Sequence, residues 1–180
     1  GSGNYFLNGW ACMIGMNASV AVHVYVGGEA GAGAFAVAGT ADRPSESDVS
    51  NACQTTGVAH RFSLPLDTAL RTTHAGKAFH VHGIAPPGSA NLVIAGAGQM
   101  TVPGIVNASA ITAFTAGRQQ VLSGERVNLT VDVHNTGNTV WHPGQFVLNL
   151  GQGAPNAARA LAHAVAPGAS TTFTVQVAPT

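Results

Sequence analysis

Residues 19–26, SVAVHVYV, alternate between two kinds of side chain. Successive side chains of a β-strand point to opposite faces of the sheet, so every second position of this segment places a valine on one face. The pattern therefore predicts a strand with its valines in a core and with His23 and Tyr25 on its outer face. The outer-face residues are Ser19, Ala21, His23 and Tyr25.

Segments on both sides of this strand carry similar patterns. Apolar runs are separated by turns rich in Gly, Pro and Ser, which is typical of short strands. Several such strands in a row predict a β-sandwich or a small barrel. We predict further strands in the first half at residues 33–41, 58–66, 77–84, 90–96 and 98–102.

Two short helices are predicted as insertions among these strands. Ser45 and Asp48 have the spacing of a capping box, so one helix is predicted to begin there and to end at Gly57. The second is predicted at residues 66–76, where Gly76 stops it. The first half is therefore expected to be β-rich, with little helix.

The second half of the chain has a plainer strand-and-turn pattern. Apolar residues occupy alternate positions from Val127 to Val133, and turn signals such as NTGN and APGAS separate the runs. Short strands at this spacing are typical of an immunoglobulin-like (Ig-like) sandwich. We predict strands at residues 110–115, 126–137, 145–153, 158–165 and 171–178.

A stretch rich in Gly, Pro, Asn and Ser, residues 98–114, separates the two halves. We predict a disulfide-stapled β-sandwich module at residues 4–104 and a small Ig-like β-sandwich at residues 108–179. The chain is thus expected to be all-β, with two sandwich modules and two short helical insertions in the first.

The charge composition excludes several functions. Only 8% of the 180 residues are charged, against about 25% in an average domain, and seven basic residues balance seven acidic ones. A chain with no net charge offers no basic surface for a polyanion, so we expect no nucleic-acid partner. No apolar run reaches the roughly 20 residues that span a bilayer, so we expect no membrane insertion. We also expect a monomer.

The two cysteines, Cys12 and Cys53, fit either one disulfide or two buried free thiols. We expect the disulfide, which requires an oxidising compartment. The opening GSG is typical of a cloning remnant, so we expect the chain to follow a removed leader or another domain. The expected location is extracellular, periplasmic or at the cell surface.

Aromatic residues are the first candidates for binding. Trp10 lies two positions before Cys12, and a tryptophan packed on a disulfide is common in β-sandwich cores. The alternative is a sugar-stacking platform formed by Trp10 and extended by Tyr25 and Tyr5. Trp141 follows a turn into an apolar stretch and is expected in the core.

Histidines are the candidates for a metal site. His80 and His82 lie on one face of a predicted strand, about 7 Å apart, and can share a zinc or copper ion if a third ligand is near. His23, His60 or Asp42 could supply that ligand. The simpler interpretation, which we favour, is a solvated face or hydrogen bonds to loop carbonyls, so no cofactor is expected.

The remaining polar residues give no catalytic pattern. Arg61 is expected to pair with Asp42, Glu46 or Asp48 and to attach the first helix to the sheet; its alternative role is a clamp for a carboxylate or phosphate. No GxSxG motif occurs, and the acidic residues are too few to predict a glycosidase pair. The Gly-rich segment 27–33 lacks the Lys-Ser/Thr of a phosphate loop. We therefore expect no enzymatic activity.

The second half resembles a known type of module. The segments VDVHNTGNT (131–139) and VAPGASTTFTVQV (165–177), with Trp141, are similar to bacterial Ig-like modules related to adhesion and to accessory domains of secreted enzymes. They also resemble, with one tryptophan instead of four, the Ig-like domains of autophagy receptors. This resemblance implies an Ig-like fold and no catalytic residues.

The first half resembles a module that recurs in secreted bacterial proteins and has no known activity. The resemblance is carried by Cys53 and by the segments GWAC (9–12), VHVYVGG (22–28), HRF (60–62) and HVHGI (80–84). It implies a secreted accessory or surface module, such as a bacterial antigen.

Three functions remain. The leading hypothesis is a non-catalytic binding or surface-display module for a glycan or a host protein. The alternatives are a metal-binding domain that uses His23, His80 and His82, and a structural spacer beside an absent enzyme domain.

Overall fold

The computed structural model describes residues 4–118, 120–149 and 158–177. Antiparallel strands dominate these residues, and the two helices among them are short. The all-β prediction is confirmed. The chain divides into two compact units, called here the first unit, Asn4–Ile105, and the second unit, the described residues from Val106 onward.

Seven strands and two helices form the first unit. One sheet has the order β1-β5-β4 and the other β3-β2-β6-β7, and all neighbouring strands are antiparallel. In chain order the elements are β1 (Tyr5–Trp10), β2 (Val20–Val26), β3 (Ala34–Ala41), β4 (Arg43–Pro44), α1 (Ser47–Ala52), β5 (Ala59–Leu66), α2 (Thr68–His74), β6 (Phe79–Ile84) and β7 (Leu92–Val93).

The two sheets of the first unit share one hydrophobic core. The four valines of β2 are buried in it, as the alternation of residues 19–26 predicts. Leu7, Phe62 and Leu64 of the other sheet belong to the same cluster. The sheets approach closely at Gly39, where a Cβ would lie 2.3 Å from Leu64 Cδ2, so a larger residue does not fit without movement.

The first helix differs from its prediction at both ends. Glu46 is the N-cap residue and makes no side-chain cap, and Ser45 Oγ is buried with no partner among the described residues, so the predicted capping box is wrong. The helix ends at Ala52 rather than at Gly57. The reason is that Gln54 already adopts a left-handed backbone conformation, with φ of 53°.

The second helix lies within its predicted range. It begins after Asp67, whose side chain accepts a hydrogen bond from the Leu70 amide at 2.7 Å. It ends at His74, and Gly76 follows with φ of 76°. Neither helix in the described part of the chain is long and apolar enough to span a bilayer.

Arg71 of α2 is a buried charge. Its Nε donates to the carbonyl of Pro103 at 3.1 Å, and its Nη2 donates to the carbonyl of Gly104 at 2.8 Å. The guanidinium lies over the Tyr5 ring, 3.9 Å from its centroid. No carboxylate in the described residues forms an ion pair with Arg71, so two carbonyls and an aromatic face stabilise the charge.

Two strand predictions in the first half are corrected, and two observed strands, β1 and β4, have no counterpart among the predicted ones. The segment 90–96 contains only the two-residue β7, and the segment 98–102 forms only an isolated bridge, between Thr101 and Ala78. Gly96 and Gly98 have φ of 88° and 82°, which turns the chain and ends regular pairing there.

The second unit has a three-stranded sheet and a short two-stranded one. In the first of these, β9 lies between β12 and β8; in the second, β10 pairs with β11. The predicted strands at 145–153 and 158–165 are longer than those observed in the described residues, and positions 150–153 and 178 lie outside them. The Ig-like topology stays a prediction. The strands are β8 (Ser109–Ala116), β9 (Val127–Asn135), β10 (Val147–Leu148), β11 (Arg159–Ala160) and β12 (Ser170–Val177).

Trp141 lies in the core of the second unit, as expected. It is only 4% exposed and packs in one cluster with Val131 and Phe173. Its ring stacks on Phe146 with the ring centroids 5.4 Å apart. The indole Nε1 is buried and has no hydrogen-bond partner in the described residues.

Candidate ligand-binding cavity

The expected disulfide between Cys12 and Cys53 is present. The two Cα atoms are 6.0 Å apart, within the usual range for this bond, and the chain has no free cysteine. The alternative of two buried thiols is therefore wrong. The bond attaches the segment that follows β1 to the C-terminal end of α1.

Asn17 attaches the same segment at a second point. Its Oδ1 accepts hydrogen bonds from the amides of Thr56 and Gly57 at 3.0 and 2.9 Å. Its Nδ2 donates to Thr56 Oγ1 at 2.9 Å. The connection between β1 and β2 is thus held by the disulfide, by these three hydrogen bonds of Asn17 and by backbone hydrogen bonds such as that from the Gly15 amide to the Cys53 carbonyl at 2.8 Å.

A cavity of about 660 Å³ lies beside this connection. Residues from the segments 9–14 and 83–95 line it, together with Val20. Gly83 pairs with Val22, a core residue with no exposed surface, so this part of the wall continues the inner face of the sheet. The cavity therefore borders the end of the core, where Gly9 from the inner face and Trp10 from the outer face of the end of β1 both line it. Its volume falls within the usual range for ligand pockets.

The lining of the cavity is small and apolar. Six of its sixteen residues are glycine or alanine, which leave the space open. Among the described lining residues none carries a charge, and Ser89 supplies the one hydroxyl group. An arrangement of this kind can bind apolar surface but offers no general base, nucleophile or metal ligand.

Trp10 lies at this cavity and not in the core. It is 41% exposed, so the core position expected for it is wrong. The reason is the alternation of β1: Leu7 faces the core, and residues an odd number of positions away, such as Trp10, face outward. Its proposed role in sugar stacking stays a prediction.

Other exposed apolar residues lie around Trp10. Ile14 is 64% exposed and Leu92 is 73% exposed, and both line the cavity, as does Val93. Contiguous exposed apolar surface on a soluble protein marks a site of interaction more often than isolated apolar residues do. The exposed apolar side chains around the cavity are therefore suited to contact with an apolar ligand.

The structure does not bring the other predicted platform residues to Trp10. Tyr5 is covered by the Arg71 guanidinium. His23 and Tyr25 lie on the outer face of β2, as predicted, where both rings contact Phe35 edge-on with centroids 5.8 Å away. Trp10, Tyr5 and Tyr25, the three residues of the predicted platform, thus belong to separate surfaces.

The histidines of β6 lie on that same outer face. His82 pairs with His23 across the strands, and His80 pairs with Tyr25. His82 Nε2 accepts a hydrogen bond from the Ala30 amide at 3.4 Å, so the loop supplies an N–H group and not the expected carbonyl.

The other predicted metal ligands lie elsewhere in the described residues. His60 belongs to the other sheet, where its Nε2 lies 2.9 Å from Thr55 Oγ1. Asp42 is exposed between β3 and β4. The described part of the chain contains no group of three or more His, Cys, Asp or Glu residues placed to hold a metal ion.

The expected ion pair between Arg61 and α1 is present. Arg61 Nε donates to Glu46 Oε2 at 2.7 Å. This hydrogen bond lowers the pKa of the Glu46 carboxyl and raises that of the Arg61 guanidinium. The pair joins the N-terminus of the helix to β5, so Arg61 is not available as an unpaired anion clamp.

The chain matches no protein-family model and no curated protein. The resemblances of its two halves therefore stay predictions, and the functional argument depends on the geometry of the chain itself.

Most of the cavity was not foreseeable from the sequence. Gly83 belongs to the segment HVHGI, whose resemblance implies no ligand, and the segment 85–95 carries no recognisable motif. The available signal is the cluster of small and apolar residues in IAPPGSANLVIAGAG, residues 84–98, which contains far fewer large side chains than a core strand pair needs.

Proposed function

We propose that this chain is a non-catalytic binding module of a bacterial cell surface or extracellular protein, and that the cavity of the first unit is its binding site. The observation that carries the proposal is the apolar cavity of about 660 Å³ with exposed Trp10, Ile14 and Leu92 around it. Filling it would remove apolar surface from water.

Two further features support this proposal. The disulfide between Cys12 and Cys53 fits an oxidising, extracellular setting. The absence of any charged side chain in the described cavity lining fits binding rather than acid–base or nucleophilic catalysis.

The test is an amide NMR titration of the whole chain with separate pools of glycans, apolar small molecules and secreted proteins. We expect one pool to shift the resonances of residues 9–14 and 83–95. Trp10→Ala should weaken the response at least tenfold. Phe6→Ala is the matched control, because Phe6 is also an exposed aromatic residue of β1 but does not line the cavity.

Shifts confined to other surfaces, or no shift with any pool from a well-dispersed spectrum, would overturn the assignment of the cavity as the binding site.

A further inference from the structure

The glycines in the strands of the first unit differ in what they make room for. A Cβ at Gly9 would lie 2.4 Å from the end of the Phe62 ring, and a Cβ at Gly39 would lie 2.3 Å from Leu64 Cδ2. A larger residue at either position would therefore force the side chain packed on it to move.

Gly83 has no such packing reason. A Cβ there would lie 3.8 Å from Val20 Cγ1 and 3.9 Å from the Leu92 carbonyl oxygen, which are ordinary contact distances. Its φ lies outside the left-handed region, so the backbone accepts other residues. Gly83 lies inside a strand, where glycine is unfavourable, and it faces the core direction. The backbone at position 83 would accept a larger residue, so the space beside it is unfilled because glycine has no side chain.

The chemistry of the open space selects among ligands. A buried ion needs a partner of opposite charge, and a buried polar group needs a hydrogen-bond partner. The described lining supplies no charge and only two polar side-chain groups that can donate a hydrogen bond, the Ser89 hydroxyl and the Trp10 indole N–H. A charged or sugar-like molecule would therefore lose its hydrogen bonds to water with little compensation, whereas a hydrocarbon has no such bonds to lose and gains from leaving water.

We propose that the cavity binds a neutral, mainly hydrocarbon chain, from a free molecule or a lipid tail, and that Gly83 keeps the space for it. This inference rests on the proposed function and names the ligand class of that same site. The dimensions fit a small molecule, because the cavity is concave and lies within one unit.

The first experiment measures binding of hexanol, octanol and decanol to the whole chain by competition with the neutral dye N-phenyl-1-naphthylamine. Each buried methylene should tighten Kd roughly fourfold, and added salt should have little effect. Octanediol, which places a second hydroxyl in the cavity, should bind at least tenfold more weakly than octanol. A Kd that does not depend on chain length would overturn the proposal.

Variants of the wall locate the site. Gly83→Leu fills the space and should abolish dye and decanol binding while keeping or raising the Tm. Ala38→Leu is the control, since it adds the same apolar side chain on the outer face of the same sheet. If Gly83→Leu fails to fold, Ala85→Leu provides a second obstruction of the cavity lining. Unchanged decanol binding in a folded obstructed variant would overturn the proposal.

Sedimentation with phosphatidylcholine vesicles distinguishes the two sources of the hydrocarbon. Co-sedimentation that Gly83→Leu removes identifies a lipid tail, and alkanol binding without co-sedimentation identifies a free molecule. If the cavity resonances respond to a protein or a glycan and not to alkanols, the ligand class proposed here is wrong while the binding function stands. If they respond to nothing, both fail.

Discussion

The two tryptophans of this chain lie in opposite environments. Trp141 is 4% exposed in the second unit, and Trp10 is 41% exposed in the first. In the described residues, the core cluster of the first unit has fourteen buried members and that of the second has six. The smaller core is filled around one tryptophan, whereas the larger one is filled mainly by aliphatic residues, with Phe62 and Phe79 as its two aromatic members. In the second unit, Trp141 therefore supplies much of the apolar volume of a small core. In the first unit, the core is complete without Trp10, whose side chain is available for a binding surface.

The largest expected effect is in the filled core. Trp141→Ala should destabilise the second unit by about 3–5 kcal/mol, because it removes the stacking on Phe146 and leaves a void. Trp141→Phe should cost clearly less, since it keeps an aromatic ring and removes an N–H group that is buried without a partner in the described residues. Denaturant unfolding followed by NMR signals of each unit measures both. A loss below about 1 kcal/mol for Trp141→Ala would contradict the comparison.

Removing the disulfide should lower the stability of the first unit, which contains Trp10, and leave the second unit unchanged. Cys12→Ala with Cys53→Ala removes a cross-link between positions 41 apart, which the chain-entropy estimate places at about 4 kcal/mol. The Tm of the first unit should fall, and the signals of the second unit provide the internal control. An unchanged first unit would show that its unfolded state is already constrained without the bond.

Two glycines separate the packed part of the first unit from its open end. Gly39→Ala should cost about 1–3 kcal/mol, because its Cβ collides with Leu64. Gly83→Ala should leave stability unchanged or raise it slightly, because the added Cβ meets its neighbours only at ordinary contact distances of 3.8 and 3.9 Å. Thermal unfolding of the two variants measures the difference in stability. Equal losses of stability in Gly39→Ala and Gly83→Ala would mean that the cavity closes in solution.

Trp10→Ala should change stability far less than Trp141→Ala. The side chain is outside the core cluster, so we expect a loss below about 1 kcal/mol by chemical unfolding. The same variant is expected to weaken binding at the cavity. A large loss of stability with intact binding would reverse the roles assigned to the two tryptophans.

The smallest effect concerns the ion pair at α1. The folded-state pKa of Glu46 is lowered by the Arg61 hydrogen bond, so the pair contributes stability above the usual glutamate pKa of about 4.3 and loses it as the pH falls through the lowered value. Because both side chains are partly exposed, Glu46→Gln should lower the Tm of the first unit only slightly at pH 7. Melts at pH 7 and pH 2.5 should show the difference shrinking. Asp48→Asn, in the first turn of the same helix, is the control.

The sequence predicts the elements whose signal is local. The valines of β2 alternate without a break, so both the strand and its buried face follow from residues 19–26. The sequence also restricts Arg61 to a few acidic partners and the two cysteines to one bond or two thiols, and the structure selects Glu46 and the disulfide. The structure confirms the disulfide. The order of the strands within each sheet does not follow from these local patterns.

The cavity could not be predicted because its cause is not local. Gly83 matters only because it faces Val20 and Val22 across a strand pairing, and its spacing in the sequence is uninformative. β1 is not predicted for a similar reason: in YFLNGW, large apolar residues occupy the outward positions Phe6 and Trp10, and a glycine occupies the inward position 9, which blurs the period of two. The predicted core position of Trp10 is wrong for the same reason, because the direction of its side chain depends on its place in β1.

The position of Arg71 determines where a stable fragment of the first unit can end. Its guanidinium is buried and donates to the carbonyls of Pro103 and Gly104, which lie about twenty residues beyond β6 and outside any strand. A fragment that ends after β7 would leave this charge without those acceptors, and each such hydrogen bond to a charged group contributes about 1.5–3 kcal/mol. The minimal fragment of the first unit therefore extends through Gly104, and its last required residues are an extended tail rather than a strand.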